Sequence, residues 1–181
     1  KNWLLRLNEN GDTLWTKTFS VGIGPTLPPQ QNSMASVNNA IYGLTGYYSP
    51  IPVTYLSAYF ISVAGNGFLF SSKIYSPSIY GTDSRSISKT YDGGFIMAGV
   101  IGTPPSYSDI YVIRTNAYGD TVWTKSYDLS YHEAASDIKQ TNDSGFVITG
   151  YVVNTATFQF NIGIIKTNAI GDTLWTKLYG D

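Results

Sequence analysis

Short apolar runs recur along the chain, and each is followed by a turn sequence and a second run of alternating character. Residues 110–113 precede one such turn, and residues 162–165 precede another. Apolar runs of this length, bounded by turn residues, predict strands that are buried on both faces. In the run after the first turn, Trp123, Lys125 and Tyr127 share one face because strand side chains alternate with a period of two.

One motif, Gly-Asp-Thr-Leu/Val-Trp-Thr-Lys, follows these turns three times, and a degenerate copy begins at Gly65. The motif glycines are spaced by 54, 54 and 52 residues. A period of this length indicates tandem structural repeats. Glycine suits a left-handed turn position and Trp suits packing between units, so the motif is interpreted as structural. The predicted anchors are Gly11, Trp15, Gly119, Trp123, Gly171 and Trp175.

A second predicted hairpin precedes the first in each unit. Its turns carry Asp92 and Asp143, two further predicted structural anchors, in Gly-rich sequences that favour tight hairpins. The two hairpins together predict four short antiparallel strands in about 50 residues. The expected units are residues 20–76 (a degenerate unit), 77–127 and 128–181, and residues 1–19 supply the second half of an earlier unit.

Four-stranded antiparallel units in tandem are typical of the blades of a β-propeller, in which each blade packs between its neighbours. Small residues in the first strand of each unit, such as Ser84 and Ala135, suit the place where blades converge. Propellers usually have about 4–8 blades. Three complete units and one half unit therefore predict an open arc of about 3.5 blades, and we expect the chain to be a fragment of a protein with further blades.

Composition favours an all-β chain and argues against several classes of function. Tyr is abundant, at 15 of 181 residues, and only 13% of residues are charged. The net charge of −1, without a basic stripe, argues against nucleic-acid binding. No apolar run is long enough to predict a membrane span. Cysteine is absent, which excludes disulfides and thiolate metal sites.

The motif at residues 167–175 resembles sequences of two known protein families. Its glycine, four residues before Trp, is similar to the tryptophan-docking motif of quinoprotein (PQQ-like) propellers. Together with residues 90–99, the motif resembles the propeller-like repeats of secreted proteins of Bacteroidetes-type bacteria, many of which carry a type IX secretion sorting domain. The resemblance implies an extracellular or cell-surface location. It implies no cofactor, because quinoprotein enzymes hold their cofactor with a Cys pair and acidic calcium ligands, and this chain has no Cys.

Acidic residues and the single histidine give no convergent set in the sequence. Asp12, Asp120 and Asp172 recur at one repeat position, which favours turn residues that accept backbone N–H bonds over a ring of acidic sites. His132 is expected to be exposed in a polar loop, and Glu133 beside it would point the other way in a strand. We therefore predict no catalytic residues, no metal site and no cofactor.

The segments that connect the hairpins differ in every copy, and antiparallel geometry places them together at one end of the units. Function often resides in such loops on a rigid scaffold. Two interpretations stay open, a binding surface for protein or glycan and ordinary loop residues that pack on each other. The aromatic residues in these segments are Tyr47, Tyr48, Tyr55, Tyr107, Tyr131, Phe158 and Phe160.

The first functional hypothesis is a non-catalytic structural or binding repeat module of a secreted or cell-surface bacterial protein, a scaffold that presents variable loops. The alternative is a fragment of a propeller hydrolase or lyase whose catalytic residues lie in missing blades. A pocket at the variable-loop end with two carboxylates, or with a carboxylate and a histidine, would favour the alternative.

Overall fold

The computed structural model describes residues 2–20, 33–37, 41–48, 56–76, 81–103, 107–130, 132–153 and 156–180. These residues are predominantly in strands, which confirms the predicted all-β class. No helix among them is long and apolar enough to pass through a membrane. The strands are β1 (Asn2–Leu7), β2 (Thr13–Phe19), β3 (Ser33–Val37), β4 (Ile41–Tyr48), β5 (Ser57–Ala64), β6 (Leu69–Tyr75), β7 (Gly81–Lys89), β8 (Phe95–Thr103), β9 (Tyr107–Thr115), β10 (Thr121–Tyr127), β11 (His132–Gln140), β12 (Phe146–Val153), β13 (Phe160–Thr167) and β14 (Thr173–Tyr179).

The strands pair antiparallel in chain order. β1 and β2 form a hairpin, and β3–β6 form a separate four-stranded sheet, called the first meander below. β7–β10 form the second meander and β11–β14 the third. A single parallel pair, His132 with Ser108, joins β11 to β9. β7–β14 are consequently one mixed sheet of eight strands, and the expectation of separate four-stranded sheets is not met there.

A left-handed glycine fixes the turn between the third and fourth strands of each meander. Gly119 and Gly171 have φ values of 82° and 83°, a conformation that costs other residues energy. In the degenerate copy this position belongs to Gly67, with φ 83°, and the assignment to Gly65 was wrong. The sequence was misleading because Gly65 and Gly67 lie in the same turn, and only Gly67 takes the left-handed position. Gly67, Gly119 and Gly171 follow one another at intervals of 52 residues.

Three hydrophobic clusters lie between successive strand groups. The first joins the β1–β2 hairpin to the first meander and includes Phe19, Tyr59 and Ile61. The second joins the first and second meanders, where the rings of Phe60 and Phe95 have centroids 5.2 Å apart. The third joins the second and third meanders and contains the largest buried set, Ile96, Ala98, Ile110, Val112, Tyr127, Ala135, Ile138, Phe146, Ile148 and Ile165. The central strands β5, β8 and β9 therefore contribute buried residues to clusters on both of their faces.

The fourth strands of the second and third meanders have similar sequences but differ in burial. In β10, Tyr127 is buried and Trp123 and Lys125 are half-buried, which confirms the shared face predicted for these residues. Every residue of β14 is exposed, including Trp175 at 44%. The difference follows from position, because the third meander covers β10 and no described residue covers β14.

This difference predicts unequal costs for two equivalent substitutions. Trp123 packs edge-on against Phe146, with ring centroids 5.8 Å apart, whereas Trp175 is largely exposed. We expect Trp123→Ala to lower the free energy of unfolding by about 2–3 kcal/mol, because its burial is partial. Trp175→Ala should cost less than about 1 kcal/mol. Urea unfolding followed by far-UV circular dichroism measures both, and equal costs would contradict the assigned packing.

Candidate functional site

The three recurring Gly-Asp turns are each held by an asparagine side chain. Asn116 Oδ1 accepts the backbone N–H groups of Tyr118 and Asp120 at 2.9 and 3.0 Å. The Asp120 carboxylate instead receives the Asn116 amide at 3.0 Å and pairs with Lys73 of the first meander at 3.0 Å. These two groups lower the pKa of Asp120. Asn8 and Asn168 hold the other two turns in the same way.

The prediction that Asp12, Asp120 and Asp172 accept backbone N–H bonds was therefore wrong. The asparagine side chain already fills the inside of each turn, so the Asp carboxylate faces outward. Asp172 there receives Lys125 Nζ from the second meander, as Asp120 receives Lys73. The Lys side chains thus reach across to the next turn, and their partner is a carboxylate of the neighbouring meander.

Tyrosine hydroxyls join the meanders at the same turns. Tyr75, the last residue of β6, donates to the Gly119 carbonyl at 2.7 Å. Tyr127, the last residue of β10, donates to the Gly171 carbonyl at 2.8 Å. Burial, and secondarily the nearby Asp carboxylates, raises the pKa of both tyrosines, so the hydroxyls remain protonated donors. This repeated bond is called the inter-meander contact.

The turns between first and second strands use aspartate differently. Asp92 accepts the hydroxyl of Thr90 at 2.7 Å and the N–H of Gly94 at 3.3 Å, and it pairs with buried Arg114. Asp143 repeats this arrangement with Lys166 at 2.8 Å. Both carboxylates therefore lie within structural turns, and the pKa of each is lowered. At Asp92 burial acts to raise the pKa, but the Thr90 hydroxyl, the Gly94 amide and Arg114 together outweigh it, whereas at Asp143 the Lys166 ammonium is the main cause.

Three other carboxylates meet at the opposite end of the second meander. Asp109 is near the start of β9, Asp128 follows β10, and Glu133 is the second residue of β11. One oxygen of each lies within 4.8 Å of the others. We call this set the carboxylate cluster. Asp128 is exposed, Asp109 is half-buried and Glu133 has no exposed surface, so the cluster extends from solvent into the protein.

Glu133 is the most perturbed member of the carboxylate cluster. Neither of its carboxylate oxygens has a hydrogen-bond partner among the described residues. Burial, reinforced by the charge of Asp128, raises its pKa to about 7, although the nearby backbone N–H groups of Ser130 and Leu129 oppose this. An unpaired buried carboxylate is costly in a folded protein, so the position calls for an electrostatic explanation.

The junction between the first and second meanders has the same three positions without charge. Its equivalents, by strand pairing, are Ser57, Ser76 and Thr82. Ser76 Oγ donates to Ser57 Oγ at 2.6 Å. Thr82 Oγ1 donates to the Tyr75 carbonyl at 2.9 Å and accepts the Ala58 N–H at 3.0 Å. Three hydroxyls that bond to one another or to the backbone are thus replaced, one junction later, by three carboxylates.

His132 was expected to be exposed in a loop, and this was wrong. It is the first residue of β11 and is half-buried, with Nδ1 3.2 Å from Ser108 Oγ. Glu133, which the sequence did not link to any partner, is buried beside it. Both differences arise because β11 begins earlier than predicted, where it pairs with β9 as well as with β12.

The predicted aromatic set is partly in strands. Tyr47 and Tyr48 lie in β4, Tyr107 begins β9 and Phe160 begins β13, so these four residues are not in loops as expected. Tyr55 and Tyr131 lie outside the described residues. Tyr107, Phe158 and Phe160 expose 65%, 73% and 72% of their surface.

The three exposed aromatics lie at one end of the sheet. Ser108, His132, Val153 and Phe160 are paired in turn across β9, β11, β12 and β13. With strands about 4.8 Å apart, Tyr107 and Phe160 flank a row about 14 Å wide. Phe158 precedes β13 with a left-handed φ of 55°, unusual for an aromatic residue.

The cavities described in the structure do not coincide with the carboxylate cluster. One cavity of about 150 Å³ lies between the β1–β2 hairpin and the first meander, and its walls include Leu5, Trp15 and Met34. The second surrounds the Gly67 turn. Among the described residues that line these two cavities there is neither a pair of carboxylates nor a carboxylate with a histidine.

The carboxylate cluster could not be recognised from the sequence because its members form no known motif. Asp109 and Glu133 lie in different strands and Asp128 follows a third, and their spacings of 19 and 5 residues match no metal or catalytic pattern. A signal was available in the repeat itself, since aligned positions change from Ser, Ser and Thr to Asp, Asp and Glu. In comparisons with known proteins, no family model and no curated protein matched the chain.

The inter-meander contact predicts a small and position-dependent effect of removing one hydroxyl. Tyr127→Phe leaves the Gly171 carbonyl without this bond, and we expect a loss of about 1 kcal/mol in the free energy of unfolding. Tyr179→Phe is the matched control, because its hydroxyl makes no hydrogen bond within the described part of the chain and should be neutral. Urea unfolding distinguishes them, and a neutral Tyr127→Phe would argue against the contact.

Proposed function

We propose that the chain is a non-catalytic repeat module of a secreted or cell-surface bacterial protein, a scaffold that holds binding residues at one end of its strands. The location rests on the resemblance of the Gly-Asp-Thr-Leu-Trp motif to repeats of such proteins. The scaffold role rests on the structure of the repeats. No cofactor is part of this proposal.

The observation that carries the scaffold role is the inter-meander contact. The Tyr75 hydroxyl reaches the Gly119 turn, and the Tyr127 hydroxyl reaches the Gly171 turn, with nearly equal lengths of 2.7 and 2.8 Å. Lys73 with Asp120 and Lys125 with Asp172 repeat alongside. A contact that each unit makes with the next one is head-to-tail, so it can be repeated along an array.

We infer that the array is of the propeller type, with each meander acting as one blade. Hydrophobic clusters shared by successive meanders support this arrangement, since blades bury both faces against their neighbours. The exposed face of β14, with Trp175 and Tyr179, corresponds to the face of β10 that the third meander covers. Another unit of the same kind would therefore fit there, in line with the expected further blades.

The binding residues proposed are the exposed aromatics at the end opposite the glycine turns. Tyr107, Phe158 and Phe160 each expose most of their surface at this end, and the ring of Phe160 also packs edge-on against Tyr151, with centroids 5.5 Å apart. Aromatic side chains offer rigid contact area at a low entropy cost, which suits recognition of a protein or a glycan. The left-handed φ of Phe158 directs this side chain at an energetic cost, a feature often found at functional positions.

The hydrolase or lyase alternative gains one observation, the carboxylate cluster with His132 nearby. A pair of carboxylates acting on a substrate must both reach it. Glu133, the member with the most raised pKa, has no exposed surface, and the described cavities lie elsewhere. The geometry therefore supports the binding module better than the enzyme.

A glycan array and a parallel protein-capture experiment test the proposed binding surface. We expect the wild-type chain to retain a ligand and the triple variant Tyr107→Ala, Phe158→Ala, Phe160→Ala to lose at least about tenfold in affinity, since buried aromatic anchors often dominate binding energy. Because all three side chains are exposed, stability should change little.

Phe68→Ala with Phe70→Ala is the matched control. These aromatics are also exposed, at 64% and 44%, but they lie by the opposite turns. Undiminished ligand binding by the Tyr107, Phe158 and Phe160 variant would reject this surface. Glycan binding without protein capture, or the reverse, assigns the ligand class.

A further inference from the structure

We propose that Asp109, Asp128 and Glu133 bind a calcium ion that ties β9, β10 and β11 together where the second meander meets the third. This inference is independent of the proposed function. It assigns a ligand to the only buried carboxylate of the described residues whose two oxygens both lack a partner.

The first step is distance. One oxygen from each side chain lies within 4.8 Å of the other two. Calcium binds oxygen at about 2.3–2.6 Å, so oxygens on opposite sides of one ion are separated by up to about 5 Å. The spacing is therefore that of oxygens that can share a central ion.

The second step is charge. Six ion pairs join the described residues, and none includes a member of the carboxylate cluster. The other charges that act on Glu133 are those of Asp128 and Asp109, which repel it. Three like charges held together without a cation are unfavourable in a folded protein, and a divalent ion would compensate two of them.

The third step is the orientation of Glu133. Its side chain has no exposed surface, and one of its oxygens faces the other two carboxylates. The backbone N–H groups of Ser130 and Leu129 act on the carboxylate, but neither oxygen has a hydrogen bond of normal geometry with a described residue. Buried polar atoms in native proteins are almost always satisfied, so an unsatisfied carboxylate indicates an ion or water that completes it. Asp128 is exposed and Asp109 half-exposed, which gives an ion an entry path from solvent.

The fourth step is the comparison within the chain. At the equivalent positions where the first meander meets the second, Ser76 bonds to Ser57, and Thr82 bonds to the backbone directly. The fold at this kind of junction therefore does not require acidic residues. Of the two junctions whose three positions are all described, one has three carboxylates, and this joint replacement points to a specific ligand there.

The fifth step is the identity of the ion. Carboxylates are hard oxygen ligands, and neither Cys nor an imidazole belongs to the set, which argues for calcium or magnesium over zinc or copper. Calcium tolerates irregular sites of 6–8 oxygens and accepts both oxygens of one carboxylate. Glu133, with two free oxygens on a buried strand, suits this mode. Water would supply the ligands that the three side chains leave open.

Isothermal titration of the chelator-treated chain with CaCl₂ tests the site. We expect one binding event, with a dissociation constant of about 10⁻⁴–10⁻³ M or lower. At a hundredfold excess over that constant, the melting temperature should rise by about 5 °C or more. Tb³⁺ should also luminesce on tyrosine excitation, because Tyr107 and Tyr111 flank Asp109 in β9, and calcium should displace it.

The triple variant Asp109→Ser, Asp128→Ser, Glu133→Thr introduces the residues found at the junction of the first and second meanders. It should fold while losing calcium binding. Asp128→Ser alone changes an exposed residue, so it carries the test if the triple variant fails to fold, and it should weaken binding at least about tenfold. Glu9→Gln removes one exposed charge elsewhere and should bind as the wild type does.

Two results would overturn the proposal. One is a wild-type chain that shows neither heat, melting shift nor Tb³⁺ luminescence. The other is calcium binding that is undiminished in Asp128→Ser and in the triple variant. Equal or tighter binding of Mg²⁺ in the same titration would overturn the assignment to calcium.

Discussion

Burial of both faces of every internal meander is the constraint on which the rest of the structure depends. A sheet with apolar side chains on two faces is stable only when something covers each face. Phe60 and Phe95 meet across one boundary, and Trp123 and Phe146 across the next. Successive repeats cover one another, so the stability of each repeat depends on its neighbours. β14 is the exception, because its aromatic face is exposed and no described residue covers it.

The polar contacts at the boundaries fix how one meander is aligned with the next. Apolar surfaces attract without direction, whereas the Tyr127 hydroxyl reaches one carbonyl only, that of Gly171. That carbonyl is in place because glycine accepts a left-handed turn there and because Asn168 holds the turn from inside. A local turn motif thus becomes a docking point between repeats, which explains why Gly, Asp, Trp and Lys recur together.

Much of the fold could be predicted because these features are local and repeated. The period, the turn glycines and the shared face of Trp123 and Tyr127 follow from spacing and alternation in the sequence. The pairing of His132 with Ser108 could not be predicted, because one parallel pair depends on how two meanders meet. At the degenerate copy the sequence has two glycines in one turn, and the backbone hydrogen bond from Gly67 N–H to the Ala64 carbonyl shows which of them is the equivalent of Gly119.

The carboxylate cluster follows from that same unpredicted pairing. Because β11 begins beside β9, Glu133 is carried from a supposed loop into the interior, against Asp109 and Asp128. In the equivalent junction one repeat earlier, Thr82 fills this place and satisfies Ala58 and Tyr75. The earlier junction thus supplies a reference within the chain: the Thr82 hydroxyl satisfies the backbone there, so a carboxylate such as that of Glu133 is not needed for folding at this position. Departures from a repeat, read at structurally equivalent positions, are therefore more informative about chemistry than the residues that recur.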